Sequence, residues 1–230
     1  MNLTYKIIYI LSTILFTTSA FAATNHVDVL IYGGHSQVNQ FSDTGTLSPD
    51  SFFGTMTGFN GGGMVLVTLM DGPIAPVVGL GAQYMELTSK NTIDISSATG
   101  VPDTTLTTNN TLTSFSSTGH AGVGFFSPQV RFFLLGNGGY GLSDKIKTDF
   151  IQSAPGVSST TGIINYRISN HSLYGGTAVF LITATPTIKV GVSSVYNLHN
   201  ITSQSDAANS TANTYSYQEF SVNLVLDIAL

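Results

Sequence analysis

The feature that most constrains this chain is the alternation of its final stretch, residues 215–230. From Phe220 onwards every second residue is apolar, and the residues between them are mostly polar or small. Successive side chains of a β-strand point to opposite faces, so this strand has one apolar face and one polar face. Both a membrane barrel and a soluble β-sandwich accommodate such a strand, and the rest of the chain must distinguish them.

The composition favours a β-rich protein and excludes several classes of function. The chain has 230 residues, of which 42% are hydrophobic and only 8% are charged, so it is too apolar to be disordered. The absence of cysteine excludes a disulfide framework and a Cys-ligated metal. The formal net charge of -5 argues against a nucleic-acid partner, which requires a basic face.

The N-terminus has the three parts of a secretory signal peptide. Lys6 precedes an apolar run over residues 7–16, and Ala20-Phe21-Ala22 follows as a small-residue cleavage site. We therefore expect residues 1–22 to be removed on export and residues 23–230 to form the mature domain. Residues 23–230 contain no further apolar helical span, so in a membrane they would have to form a closed barrel.

Eight strand-like segments follow, and the connections between them alternate in length. The predicted strands are 26–36, 57–70, 76–88, 114–126, 129–143, 164–182, 186–199 and 215–230. The second, fourth and sixth connections are short and are marked by Pro73, Pro128 and Pro186. The other connections are long and polar, over residues 37–56, 89–113, 144–163 and 200–214. This alternation is typical of transmembrane barrels, which have short periplasmic turns and long extracellular loops.

The charged residues within the predicted strands support the same interpretation. Arg131 and Lys189 fall on the strand face opposite to the apolar one. A Lys or Arg facing the middle of the bilayer costs roughly 2–4 kcal/mol, so a barrel wall requires this sorting. A soluble up-and-down barrel would require neither the sorting nor the alternation of connection lengths. The sequence predicts an all-β protein, an eight-stranded antiparallel up-and-down transmembrane β-barrel.

Four charged residues are predicted to meet inside the barrel at its periplasmic rim. Each lies on the inward face at the periplasmic end of its strand, and they are Asp28, Arg131, Lys189 and Asp227. Because an unpaired buried charge is costly, we expect them to form a salt-bridge cluster in the lumen. The cluster could be a static plug or a gate to a narrow pore, although eight strands leave little room beyond side chains.

The five histidines do not form a recognisable catalytic or metal-binding pattern. His171 and Ser172 are adjacent, so in a strand they point to opposite faces and do not form a nucleophile–base pair. His120 is expected in the lumen, whereas His26, His35 and His199 lie at strand ends without metal-ligand spacing. The glycine runs precede no helix, so they do not form a phosphate loop. We therefore expect no enzymatic activity, no cofactor and no metal.

The chain resembles the small Gram-negative outer-membrane barrels, including the OmpA-like transmembrane domain and the OmpW- and OmpX/Ail-type proteins. Such barrels usually end in an assembly signal, to which Asn223, Ile228 and Leu230 correspond. Val225 stands where these proteins usually have glycine, and Leu230 stands where they usually have phenylalanine.

The resemblance implies a location in the cell outer membrane and a set of partners. These partners are the barrel-assembly machinery, the outer-membrane lipid with its lipopolysaccharide, and a surface ligand bound by the four long connections. The function expected on this basis is structural or adhesive, with host contact through the polar loops. A narrow pore or a lateral route for small hydrophobic molecules, as in OmpW-like proteins, is the alternative, and a lipid A-modifying enzyme is the third possibility.

Overall fold

The computed structural model describes residues 26–42, 53–206 and 212–230, and these form an all-β structure. The predicted signal peptide lies outside the described residues. The strands are β1 (Val27–Ser42), β2 (Met56–Thr68), β3 (Ile74–Asp94), β4 (Thr105–Phe126), β5 (Val130–Ser153), β6 (Thr160–Thr183), β7 (Ile188–Ser205) and β8 (Asn213–Ala229). One short helix, α1 (Ser96–Thr99), lies between β3 and β4 and ends at Gly100, which has a positive φ of 71°.

The eight strands form a closed antiparallel barrel in which each strand pairs with its sequence neighbours. The ring is closed by β1 and β8, which pair from Asp28 opposite Ala229 to Ser42 opposite Ser216. Short turns join β2 to β3, β4 to β5 and β6 to β7 at one end, as predicted from the proline-marked connections. The predicted fold class and the eight-stranded topology are confirmed.

Apolar side chains cover the outer surface of the barrel over the half nearer the short turns. The members with the largest exposure on this band include Leu80 at 68%, Leu224 at 75% and Leu230 at 68%. Three tyrosines, Tyr140, Tyr174 and Tyr196, are exposed along its upper edge. An apolar band bordered by aromatic residues is the outer surface that a barrel presents to lipid.

The connections at the other end of the barrel are longer than the short turns, as predicted, but the predicted bounds of these connections are wrong because the strands continue into them. β3 and β4 remain paired up to Asp94 and Thr105, and β5 and β6 up to Gln152 and Thr160. Thr, Ser and Asn are typical of loops, but in a paired ladder those that face outward are solvated and those that face inward bond to each other, as where Thr148 donates to Asn110. Most of 89–113, of 144–163 and of the start of 200–214 is therefore a strand wall with short tips, and part of 37–56 lies outside the described residues.

The lumen is filled by alternating polar and apolar layers. The charged residues at the periplasmic rim lie below a lower apolar cluster, whose members include Leu30, Phe133, Val179 and Leu181. A polar layer follows. An upper apolar cluster then fills the lumen toward the end opposite the short turns and includes Phe53, Met56, Leu87, Leu112 and Tyr217.

Two further aromatic residues belong to these interior clusters and not to the outer surface. Phe126 packs against the lower apolar cluster, and Tyr217 is 1% exposed in the upper one.

Candidate functional site

Two histidines and two carboxylates form a continuous chain in the polar layer of the lumen, which we call the relay. Glu219 Oε2 lies 2.9 Å from Nε2 of His199. His199 Nδ1 lies 2.7 Å from Nε2 of His171. His171 Nδ1 lies 3.0 Å from Oδ2 of Asp144, in ion-pair contact but without the alignment of a hydrogen bond. All four side chains are at most 4% exposed. The relay therefore crosses four adjacent strands, from β8 to β5.

The relay places a carboxylate at each end of a pair of histidines. In the middle contact one imidazole donates to the other, since each ring has one nitrogen facing its neighbour. The outer nitrogen of each ring faces a carboxylate oxygen, that of Glu219 on one side and that of Asp144 on the other. The relay is thus a buried polar group in which each ring bridges its neighbour and a carboxylate.

Glu219 is the most heavily hydrogen-bonded member of the relay. It accepts hydrogen bonds from five side chains on β1, β3, β7 and β8, namely Ser36, Gln83, Asn197, His199 and Ser221. Gln83 Nε2 donates to Oε1 over 2.7 Å from across the lumen. The His199 ring also stacks on Tyr217, with the ring centroids 4.4 Å apart. One buried carboxylate thus connects several strands of the wall.

One bulge brings Asp144 into the relay, whereas His171 keeps the inward parity of Leu173 and Leu181 on the same strand. The β4–β5 register shifts between Phe115 and Ser116, below Asp144 on β5. A bulge inserts one extra residue and reverses the faces of the residues beyond it. At the same height the β5–β6 pairing is interrupted between Tyr140 and Lys145. Arg131 has an odd number and faces the lumen, so in an unbroken strand the even-numbered Asp144 would face outward. The bulge reverses this, and Asp144 faces the lumen.

Glycine at position 141 leaves room for the end of the relay. A Cβ atom there would overlap Oδ2 of Asp144 and Nδ1 of His171. Asp144 also accepts a hydrogen bond of 2.5 Å from the hydroxyl of Ser114. The Asp144–His171 contact thus requires that residue 141 of β5 has no side chain.

Sequence reasoning missed the relay for identifiable reasons. His199 was interpreted as a strand end, but β7 continues to Ser205 and His199 is buried. Asp144 was assigned to a loop. The signal that could have found His199 and His171 is the short β6–β7 turn, because the register that it sets places them diagonally across neighbouring strands. His120 lies in the lumen as expected, where it contacts Thr118 and Asn137.

The structure brings the four charged residues of the periplasmic rim together as two ion pairs. Arg131 contacts Asp28, and Lys189 Nζ lies 3.3 Å from Oδ2 of Asp227 without hydrogen-bond alignment. Three of the side chains are at most 4% exposed, and that of Arg131 is 16% exposed. Their role as a plug remains a prediction, taken up below.

The three residues of the predicted assembly signal lie on β8 and at its end. Asn223 faces the lumen and donates to Ser193 over 3.2 Å. Ile228 is partly exposed, and Leu230 is exposed on the outer surface. Recognition of these residues by the assembly machinery remains a prediction.

Within the described ranges, no group of three metal-ligating side chains is placed to hold a metal ion. The described residues also include no helix with the length and apolarity needed to cross a membrane.

Comparison with known proteins finds the same architecture only among solved structures. No family model matches the chain, and no curated protein matches its sequence. Neisserial surface protein A is 13% identical, with 88% of this chain and 96% of that chain covered and a TM-score of 0.39. The outer-membrane protease OmpT from Escherichia coli is 9% identical, with coverages of 91% and 98% and a TM-score of 0.43. The attachment invasion locus protein Ail of Yersinia pestis is 12% identical, with coverages of 87% and 97% and a TM-score of 0.30.

These TM-scores lie below 0.5, so the assignment rests on the geometry of the chain itself. A closed ring leaves no unpaired strand edge, and its outer surface is apolar while its lumen contains a buried polar network. In the hydrocarbon region of a membrane, only helices and closed barrels satisfy all of their backbone hydrogen bonds. The chain is an eight-stranded outer-membrane β-barrel. Transmembrane barrels have short periplasmic turns and long extracellular connections, and this is the orientation that we expect for the chain.

The outer face of this barrel carries a groove above the apolar band. It lies over β5 and β6, with contributions from β4 and β7, and encloses about 670 Å³. Its charged and amide side chains include Lys145, Lys147, Asn165, Arg167 and Asp206. We call this feature the β5–β6 groove. It lies beside the interruption of the β5–β6 pairing, with Asp144 of the relay in its lining.

Proposed function

We propose that this barrel is a non-enzymatic surface protein whose filled lumen supports the polar wall above the outer membrane. The observation that carries the proposal is the filling of the lumen, with two apolar clusters and a polar network between its ends. His171 and His199 are 3% and 2% exposed, so the two imidazoles are withdrawn from any substrate. A barrel filled in this way offers its wall and tips for binding.

The extracellular wall is suited to adhesion or host contact because it is rigid before it binds. The hydroxyls of Thr92 and Thr107 lie 3.0 Å apart on neighbouring strands of this wall. The upper apolar cluster packs beneath its lower part, where Phe53 contacts the rings of Tyr166 and Tyr215 edge-on. A preorganised surface loses little conformational entropy on binding.

Attachment of bacteria that display the barrel tests this function. Cells that display the unmodified chain are expected to adhere to cultured epithelial cells above an empty-vector control. Variants in which residues 95–104 and 154–159 are replaced by two-residue turns are expected to lose that adhesion, because these tips connect the longest strands. Equal surface levels, measured by labelling intact cells, are the control. Adhesion no greater than that of the vector would contradict the proposal.

We also propose that the four charged residues at the periplasmic rim form a static plug. Buried ion pairs require good partners, and each cation here has one carboxylate in contact. The lower apolar cluster lies directly above them, so the ion pairs and the apolar side chains each block the lumen.

Planar-bilayer recordings separate this plug from a gate. We expect no stable single-channel steps from the unmodified barrel, and none from the neutral double variant Asp28→Asn/Arg131→Met, because Phe133 and Leu181 still fill the lumen above it. A general porin in the same bilayer is the positive control. Steps from the double variant alone would identify a gate, whereas steps from the unmodified barrel would favour the alternative function, a narrow channel.

A further inference from the structure

The β5–β6 groove contains two cations that face each other on neighbouring strands. Lys145 and Arg167 are direct partners in the β5–β6 register, and both are exposed on the outer face. Side chains directly opposite each other have Cβ atoms about 5 Å apart, and like charges in that position destabilise a sheet. The pair is therefore stabilised when an anion binds between the two cations.

Among the described residues, the carboxylates around this pair contact other groups. Asp149 pairs with Lys147 over 3.0 Å, and Asp144 points inward to His171. Asp206 accepts hydrogen bonds of 3.1 and 3.0 Å from the backbone and side chain of Asn165, which lower the pKa of its carboxyl group. Asp206 thus stays ionised and bound to Asn165, and none of these carboxylates is in salt-bridge contact with Lys145 or Arg167.

Positive charge is concentrated at this groove although the chain as a whole is acidic. Three of the seven Lys and Arg residues line it, in a chain with a formal net charge of -5. The volume of about 670 Å³ lies in the range of sites that hold a sugar-sized ligand. The guanidinium of Arg167 can hold two oxygens of one phosphate at once, while Lys145 adds a point charge.

The height of the pair identifies the source of the phosphate. Tyr140 and Leu142 are 65% and 62% exposed on the outer face of β5, at the upper edge of the apolar band. Lys145 follows Leu142 by three residues, about 10 Å further along the strand. The pair thus stands at the level of the headgroups of the outer leaflet, where lipopolysaccharide carries its phosphates.

We propose that Lys145 and Arg167 form a binding site for the phosphate groups of lipopolysaccharide on the outer wall of the barrel. The site deepens the proposed surface function by naming a lipid partner, and it rests only on the position of this wall above the membrane. The groove begins just beyond the apolar band on the same strand, so a lipid whose acyl chains lie against Tyr140 and Leu142 can place its phosphorylated sugar between the two cations.

Binding of lipid A to the purified barrel in detergent tests the site. The probes are bisphosphorylated lipid A, the same lipid after removal of both phosphates, and inorganic phosphate, and the variant is Lys145→Gln/Arg167→Gln. We expect the variant to bind bisphosphorylated lipid A at least about tenfold more weakly, and the unmodified barrel to discriminate against the dephosphorylated lipid by a similar factor. Lys90→Gln removes an exposed cation on β3, outside the groove, and should leave the affinity unchanged.

The outcomes separate this proposal from the proposed function. Equal affinity of the double variant and the unmodified barrel, or equal affinity for the two lipids, would overturn the site. Competition by millimolar inorganic phosphate as effective as that by lipid A would overturn the lipid as the source of the anion. Migration on unboiled gels verifies that the variants are folded. Loss of adhesion in the tip variants without a change in lipid A binding would bear on the surface function only and would not contradict the phosphate site.

Discussion

Replacing Glu219 with alanine is expected to destabilise the barrel by roughly 3–5 kcal/mol, the effect of removing one partner from a buried charged network. The change removes the acceptor of five hydrogen bonds, and its donors include Gln83, Asn197 and His199. These groups are buried in the lumen and would be left without the carboxylate that they surround.

Urea titration measures this effect. The chain contains no tryptophan, so the folded fraction is best followed by its faster migration on unboiled gels. Glu86→Ala is the matched control, because Glu86 is exposed on the outer face and accepts one hydrogen bond of 2.7 Å from Tyr84. We expect this control to lower the free energy of unfolding by less than about 1 kcal/mol. Similar losses in the two variants would show that the relay contributes nothing particular to stability.

Replacing Gly122 with alanine is expected to prevent folding or to lower the free energy of unfolding by at least about 3 kcal/mol. Gly122 faces the lumen on β4, and a Cβ atom there would overlap the carbonyl oxygen of Leu134 on β5. The next nearest atoms also belong to the β5 backbone, so no change of side-chain rotamer relieves the overlap. The strands would have to separate, which would break the ladder that closes the ring.

Gly119→Ala is the comparison within the same strand. A Cβ atom added at Gly119 would lie 3.8 Å from its nearest neighbour, the carbonyl oxygen of Gly138, so the new methyl group extends into open space on the outer face. We expect this variant to fold with unchanged urea sensitivity. The measurement is the yield of heat-modifiable, compactly migrating protein after refolding in detergent. Equal yields for the two variants would contradict the close approach of the β4 and β5 backbones at Gly122.

Much of the fold could be predicted from the sequence because period-two patterns are local. Val190 and Val192 alternate with Lys189 and Ser193, and the structure places the valines outside and the other two in the lumen. The short connections were predicted from proline, and the resulting neighbour-to-neighbour pairing is observed. The order of residues within one strand is enough to predict which side chains face outward, so no contact between distant residues has to be known.

The lengths of the strands could not be predicted from the same pattern. Thr107, Thr111 and Thr113 belong to a polar tract without apolar alternation, yet they lie within β4. Above the membrane one side of the wall faces water, and the inner side satisfies polar groups itself, as where Thr148 donates to Asn110 over 2.7 Å. A strand with two polar faces and a loop have the same composition, and only the pairing of the neighbouring strand distinguishes them.

The alternation of residues along each regular strand was enough to assign one face to lipid and the other to the lumen, because this pattern needs no other strand. The tertiary structure alone decided which inward groups meet. Glu219, His199, His171 and Asp144 come from four strands, and the contact of Asp144 depends on a bulge that reverses side-chain faces midway along β5. A bulge is set by the register of two paired strands, and that register is a property of the closed ring.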